Sequence, residues 1–215
     1  MYTLFIANKT NSSWSLRPWI LLTQLGIPFE EVQLYFQPDK QLQKIDFLQA
    51  SPISKVPALH HNNMVIWDSL AIVEYIAEDY PQVWASDKAA RAWSRCASAE
   101  MHSSFVALRT QCSMNTQKFT PLSTPDTALL TELQRIDQLW TDGLQRFKGE
   151  FLAANQFTAV DAFFAPVVIR LIHYGLMDYL SPAANAYAKR IYQLPSMQKW
   201  LKLAELEKDR PIRNP

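Results

Sequence analysis

The sequence predicts an α/β domain at the N-terminus, followed by an all-helical domain. Within residues 1–80, short runs of strand-forming residues alternate with helical patterns, in the order βαβαββα. From residue 88 onward, apolar side chains recur every three or four positions and no strand pattern follows. The chain contains only four glycines, which is typical of a helix-dominated protein.

In the first domain, turn signals separate the predicted elements. Gly26 and Pro28 end the first helix, and Asn62-Asn63 suits a tight hairpin turn because asparagine tolerates positive φ. A strand–helix–strand unit implies a parallel pair, and the final hairpin adds antiparallel strands. The predicted strands are 2–7, 29–35, 57–61 and 64–67, and the predicted helices are 15–25, 41–48 and one opening at Asp68-Ser69.

The second domain is predicted to consist of helices alone. The segment 157–176 is apolar almost all round, so we expect it to be the central buried helix. We place the domains at 1–80 and 87–215, with a linker near 81–86. Cys96 and Cys112 are expected in one long helix, as small buried side chains. The other predicted helices are 88–114, 129–147, 183–193 and 196–208.

Composition excludes several classes of function. The formal net charge is +1 and no basic stripe is present, so we expect no nucleic-acid partner. No apolar stretch is long enough for a membrane helix, and the N-terminus does not read as a secretory signal. Two unpaired cysteines fit a reducing compartment, so a cytoplasmic location is expected. The adjacent His60 and His61 point to opposite faces of a strand, so we predict no metal site.

Three motifs in the first domain have both a structural and a functional explanation. The turn NSSWSLRPW at 11–19 places hydroxyls at a helix start, where Ser13 or Ser15 could simply cap the helix. In SPISKVPAL at 51–59, Pro57 opens a strand and is either an ordinary trans proline or a cis proline that exposes the Val56 backbone. Asp68-Ser69 either caps a helix or offers a site for a carboxylate.

With these motifs in this order, the sequence resembles cytosolic glutathione transferases over nearly its full length. The resemblance rests on the serine-rich turn leading into LRPW, on KVPAL at 55–59 and on DSLAIVEYI at 68–76. Thr158-Ala159-Val160-Asp161 is similar to the capping box of that family's sixth helix, which is a structural motif. The resemblance implies a thioredoxin-like N-terminal domain and an all-helical C-terminal domain.

The resemblance also implies that the first domain binds glutathione as co-substrate, without a metal. Val56, before a cis Pro57, is expected to pair its backbone with the cysteinyl part of the tripeptide. Asp68 and Ser69 match the acidic–serine pair that binds the γ-glutamyl amine and carboxylate. Lys55 is expected to be either a polar contact to the ligand or a solvated lysine.

The catalytic group implied by the resemblance is a serine that donates to the glutathione sulfur. Ser12 has the spacing of serine-type, zeta- or theta-like bacterial members, and Ser13 is the next choice. Cysteine-type members of the family have a cysteine in the 12–15 turn and this chain has none, so we do not expect disulfide exchange. Trp14 stands where the zeta pattern has cysteine, which puts isomerase chemistry of the zeta type in doubt. A donated hydrogen bond favours the thiolate over the thiol, which is mostly un-ionised at neutral pH.

The expected reaction is conjugation of glutathione to small hydrophobic electrophiles, a detoxification activity. Alternatives are a glutathione-dependent isomerase or peroxidase using the same site, and a non-enzymatic binding protein on this fold. The acceptor pocket is predicted between the domains at Trp14, Phe105 and Leu108, although the last two also suit the helix core. A homodimer is expected, joined through the helices that start near Ser69 and Lys88.

Overall fold

The computed structural model describes residues 1–207, so residues 208–215 of the predicted helical domain and the last residue of the predicted helix 196–208 lie outside it. The order of elements confirms the predicted architecture. In the first part of the chain these elements are β1 (Tyr2–Ile6), α1 (Ser13–Gln24), β2 (Phe29–Gln33), α2 (Lys40–Leu48), β3 (Ala58–His61), β4 (Met64–Trp67) and α3 (Ser69–Asp79). The helices that follow are α4 (Lys88–Ser103), α5 (Val106–Gln111), α6 (Thr127–Phe147), α7 (Ala159–His173), α8 (Pro182–Gln193) and α9 (Pro195–Glu205), with 3-10 turns at Pro81–Val83 and Met177–Tyr179.

The four strands form one mixed sheet in the order β2-β1-β3-β4. β1 pairs in parallel with β2, and antiparallel pairs join β1 to β3 and β3 to β4. The hairpin turns at Asn62 and Asn63, whose φ angles are 47° and 66°. Both the parallel pair and the asparagine turn agree with the sequence patterns.

The core of the helical part is α7, as the apolar pattern predicted. Nearly every side chain from Ala159 to His173 is buried. α1 packs against α7, and also against α3 and α9, so the helical part supports the first helix of the α/β part. None of the helices in residues 1–207 is long and apolar enough to cross a bilayer.

The prediction of one long helix over 88–114 is wrong, because the chain breaks after Ser103. Phe105 adopts a left-handed φ of 62°, and α5 restarts at Val106. The carboxylate of Glu132, on α6, accepts hydrogen bonds from the backbone N–H groups of Ala107 and Leu108. This contact from a distant helix caps α5, and no local sequence signal announces it.

The two cysteines therefore do not share a helix. Cys112 is buried just after α5, but Cys96 is exposed on α4, which contradicts its predicted burial. Cys96 lies outside the buried face of α4, which consists of Ala90, Ser94, Ala97, Ser98 and Met101. Burial raises the pKa of the Cys112 thiol to about 11, so this side chain behaves as an inert core residue.

The predicted capping box at the start of α7 is present. The Asp161 carboxylate is fully buried and accepts from the backbone N–H and hydroxyl of Thr158, at 2.9 and 3.1 Å. It also accepts from the N–H of Leu152, at 3.1 Å, and from the hydroxyl of Tyr187, at 3.0 Å. Burial raises the pKa of Asp161 to about 6, while these donors act in the opposite direction.

Asp161→Ala is expected to destabilise the protein by about 3 kcal/mol, because it leaves several buried donors without an acceptor. The urea midpoint of unfolding measures the loss. Asp178→Ala is the matched control, since Asp178 is exposed on the Met177–Tyr179 turn, and it should leave the free energy of unfolding within about 0.5 kcal/mol of wild type. Equal midpoints for the two variants would contradict the structural role of Asp161.

Candidate glutathione site

A cavity of about 470 Å³ opens where the start of α1, the loop before β3 and the start of α3 meet. This volume is within the range of small-molecule sites. The cavity gathers most of the predicted site residues from three separate stretches of the chain. Its lining consists of Asn11, Ser12, Ser13, Trp14, Phe36, Gln43, Phe47, Ile53, Ser54, Lys55, Val56, Pro57, Asp68 and Ser69.

The serine turn forms the first turn of α1, which begins two residues earlier than predicted. Ser12 is the N-cap, but its hydroxyl makes no capping bond. Instead the Ser12 hydroxyl donates to Ser15 Oγ at 2.7 Å, and Ser15 Oγ also accepts from the Ala7 N–H at 3.1 Å. Both Ser12 and Ser13 are buried, at 5% and 8% exposure. The hydroxyl chain thus ties the start of α1 to the end of β1.

The loop before β3 presents its backbone to the same cavity. The Val56–Pro57 peptide bond is cis. Upstream, the Ser51 hydroxyl donates to the Lys55 carbonyl at 2.8 Å and accepts from the Lys55 N–H at 3.2 Å. These two hydrogen bonds hold the turn that precedes Val56, which lines the cavity. Lys55 itself is exposed at the rim of the cavity.

Asp68 and Ser69 form the start of α3. Asp68 is the N-cap, with a φ of 76° that is uncommon for a residue with a side chain, and its Oδ1 accepts from the Leu70 N–H at 2.8 Å. Ser69 is the first residue of α3 and is fully buried. A helix start has free backbone N–H groups and a partial positive charge, which suit a carboxylate.

Two residues that sequence reasoning missed lie behind this wall of the cavity. The buried Arg17 donates from Nη1 to Ser69 Oγ at 3.3 Å. On α4, His102 places Nε2 at 3.4 Å from Asp68 Oδ2, and its ring meets Trp14 edge-on at 5.0 Å. The position of Arg17 on an apolar face of α1 could have indicated a buried role from the sequence alone. The contact of His102 with Asp68 could not, because it depends on tertiary packing.

The ionisation of His102 is set by its surroundings. Burial lowers the pKa of His102, and the positive charges of Arg17 and Arg109 lower it further, whereas Asp68 raises it. The neutral imidazole is therefore favoured in the folded protein, and its buried Nδ1 has no hydrogen-bond partner among residues 1–207.

The predicted acceptor residues do not all meet in the cavity. Trp14 lines it, but Phe105 and Leu108 are buried in the core and do not. The left-handed Phe105 turns inward at the break between α4 and α5. Their role in acceptor binding stays a prediction. Within residues 1–207, no three His, Cys, Asp or Glu side chains form a metal-binding group.

Asp68→Asn is expected to lower the pKa of His102 further, because Asp68 is the group that raises it. The folded state binds the proton less readily than the unfolded chain, so stability rises with pH between the depressed pKa and the ordinary value of 6.5. Asp68→Asn should widen this pH interval, because it lowers the pKa of His102 in the folded protein, which is the lower limit. NMR titration of the imidazole protons in wild type and variant measures the shift, and an upward shift of His102 would refute the assignment.

Comparison with known proteins agrees with this geometry. Residues 2–78 match the model of the glutathione S-transferase N-terminal domain. Glutathione S-transferase GstB of Escherichia coli (strain K12) is 23% identical over 211 residues, which cover 93% of this chain and 97% of the relative. The stringent starvation protein A homolog of Haemophilus ducreyi is 22% identical over 193 residues, which cover 88% of this chain and 85% of that protein.

The fold is also found among solved structures. A Burkholderia glutathione transferase homolog, determined with bound glutathione, superimposes with a TM-score of 0.68 at 23% sequence identity, covering 95% of this chain and 97% of that one. The matched N-terminal domain, the full-length relatives and the shared fold agree with one another. Residues 2–78 thus match the N-terminal domain of glutathione S-transferases, and the chain shares its fold with solved glutathione transferases.

Proposed function

We propose that this protein is a glutathione S-transferase that conjugates reduced glutathione to small hydrophobic electrophiles, with Ser12 stabilising the thiolate. One observation carries the proposal: Ser12, Val56 and the pair Asp68-Ser69 line a single cavity. These are the groups that the family resemblance assigns to the sulfur, the cysteinyl backbone and the γ-glutamyl end of the tripeptide. The likeness to a transferase homolog solved with bound glutathione supports the same ligand.

The serine acts as a hydrogen-bond donor in this mechanism. In the structure, the Ser12 hydroxyl donates to Ser15 Oγ. Because a hydroxyl hydrogen rotates, Ser12 can turn its proton toward a bound sulfur while Ser15 donates to Ser12 in its place. The thiolate would then receive a hydrogen bond beside the N-terminus of α1, and both effects favour the charged sulfur over the thiol.

Ser13 is the alternative donor. It is the first residue of α1, it lines the cavity, and its hydroxyl has no hydrogen-bond partner within the described chain. Its proton is thus available without any rearrangement. The hydrogen bonds that link Ser12 to Ser15, and Ser15 to Ala7, favour Ser12 as the thiolate donor. They hold the Ser12 hydroxyl oxygen in place, whereas the Ser13 hydroxyl is not held, and a preorganised donor stabilises a charge better.

Apolar side chains beside the serine turn support a hydrophobic electrophile. Trp14, Phe36, Phe47 and Ile53 all line the cavity. Trp14 adjoins the two candidate serines, so its ring is suited to contact an acceptor that approaches the sulfur. Phe105 and Leu108 could join only if the core around them opened.

A non-catalytic binding protein on this fold is the second candidate, and the chain is also similar to a relative whose name is not that of a transferase, the stringent starvation protein A homolog. An isomerase or peroxidase that uses the same thiolate is a third possibility within the enzyme class. Isothermal titration with glutathione tests the enzyme against the non-catalytic binding protein, because a chain that binds no glutathione cannot catalyse its conjugation. An acceptor screen with electrophiles, peroxides and cis–trans isomerisable substrates then distinguishes the enzymes.

Ser12→Ala is expected to lower the rate of conjugation roughly 10- to 150-fold, because one charge-assisted hydrogen bond is worth about 1.5–3 kcal/mol. Glutathione affinity should change little, since its binding depends mainly on Val56, Asp68 and Ser69. The hydroxyl interacts more strongly with thiolate than with thiol, so the loss falls on kcat and the pH profile moves upward. Steady-state kinetics over a pH series measures both effects.

Ser13→Ala is the matched control and should be the milder change. A damaging Ser13→Ala with a silent Ser12→Ala would transfer the catalytic role to Ser13. If neither substitution matters, a serine donor is not the mechanism, and the N–H groups of α1 must stabilise the thiolate instead.

A homodimer through α3 and α4 is part of the proposal. The exposed side of α4 carries small side chains at Ala89, Ala92, Cys96 and Ala99, and Ala71 is exposed on α3. Small residues allow two helices to approach closely. On the same face, an ion pair at 3.0 Å joins Glu74 of α3 to Arg95 of α4.

Ala92→Arg is expected to convert the dimer to a monomer, because the added charge would be buried between two copies. Sedimentation velocity at micromolar concentration should give about twice the chain mass of 24.8 kDa for wild type and the chain mass for the variant. Ala186→Arg, at an exposed position of α8, is the control and should remain dimeric. A monomeric wild type would contradict the expectation.

A further inference from the structure

Arg17 is a buried cation without a carboxylate partner. Its side chain is 1% exposed, and no acidic group among residues 1–207 lies within ion-pair distance of it. The guanidinium instead lies over the ring of Trp14, at 4.3 Å, and near the ring of Phe163, at 4.8 Å. Its Nε is buried and has no hydrogen-bond acceptor. A buried charge of this kind is costly until an anion compensates it.

The neighbouring arginines are occupied. Arg109 donates to the carbonyls of Met101 and Ser104, at the end of α4. Arg170 donates to the carbonyls of Cys112 and Pro166. These two therefore have structural partners, whereas Arg17 keeps donors to spare.

The field around Arg17 is positive. Burial lowers the pKa of Arg17, the charges of Arg109 and Arg170 lower it further, and Asp68 partly opposes them. Guanidinium nevertheless stays protonated in proteins, so the folded protein retains the excess charge.

The bond from Arg17 to Ser69 determines how Ser69 can act. A guanidinium has donors only, so Ser69 Oγ must accept from it. The Ser69 hydroxyl proton then has no acceptor within the described chain, and Ser69 lines the cavity at the start of α3. A hydroxyl proton, free helix N–H groups and a positive charge behind them together suit a carboxylate.

We propose that Arg17 is a positioning residue for the γ-glutamyl α-carboxylate of glutathione, and this inference rests on the proposed function. Arg17 holds Ser69 as a donor toward the ligand and supplies the charge that the carboxylate neutralises. It acts through Ser69 and through the low-dielectric interior, without contacting the tripeptide. The bound carboxylate would thereby place a negative charge near a buried cation that has no carboxylate partner among residues 1–207.

The inference predicts that Arg17→Met changes stability and binding in opposite directions. Methionine keeps most of the volume but removes the uncompensated charge, so the melting temperature of the ligand-free protein should stay equal or rise. The Kd for glutathione, measured by isothermal titration, should increase roughly 10-fold or more. A purely structural arginine would instead lower the melting temperature and leave the affinity of the folded fraction unchanged.

A ligand that lacks the carboxylate makes the test specific. In 4-aminobutyryl-cysteinylglycine, hydrogen replaces the α-carboxylate of the γ-glutamyl residue, and the amine remains. Wild type should bind it roughly 10-fold or more weakly than glutathione, whereas the ratio of the two Kd values should be clearly smaller for Arg17→Met, which retains only Ser69 and the start of α3. If Arg17→Met does not fold, Arg17→Lys replaces it in the test. Arg17→Lys should lose less glutathione affinity than Arg17→Met, and its affinity for 4-aminobutyryl-cysteinylglycine should equal that of wild type.

The outcomes distinguish this inference from the proposed function. If wild type binds no glutathione, both fail. If wild type binds glutathione, two results overturn the role of Arg17 alone. One is that the Arg17 variants raise the Kd of both peptides by the same factor, and the other is that they leave both Kd values unchanged.

Discussion

The packing of α1 against α7 is the contact on which the candidate site depends. α1 carries Ser12 and Ser13 at its start and Arg17 one turn later, and all three are buried. α7 is almost wholly buried and supplies Phe163 beneath the Arg17 guanidinium. On the other side, Ser15 binds the Ala7 N–H at the end of β1. The helical part of the protein therefore fixes the turn that would hold the glutathione sulfur, in addition to forming its own core.

The electrostatic design of the cavity follows from that packing. Two helix starts, at Ser12 and Ser69, line the cavity with the positive ends of their helix dipoles, and Arg17 adds a full charge behind the second. These groups are held by a close-packed interior, so they need little reorganisation when an anion arrives. Glutathione with an ionised sulfur presents both a carboxylate and a thiolate. Under the proposed function, such a site would favour the thiolate form of the tripeptide over its neutral thiol.

Local patterns predicted the fold well, since strand alternation, the Asn62-Asn63 turn and the apolar run of α7 all depend on neighbours in sequence. They also identified the cavity residues Ser12, Val56 and Asp68, which occupy element ends with recognisable chemistry. The sequence could not predict the break at Phe105, because Glu132 on another helix caps α5. His102 was missed for the same reason, since its contact with Asp68 crosses between the two parts of the chain.

The central claim is that this cavity binds glutathione and holds its sulfur as a thiolate. The ultraviolet absorbance of the thiolate, titrated against pH in the complex of wild-type protein with glutathione, measures this directly. The account predicts that the bound thiol ionises at least about one pH unit below the ordinary value of about 8.5, a difference equivalent to about 1.4 kcal/mol. A bound thiol that titrates at or above its ordinary pKa would contradict it.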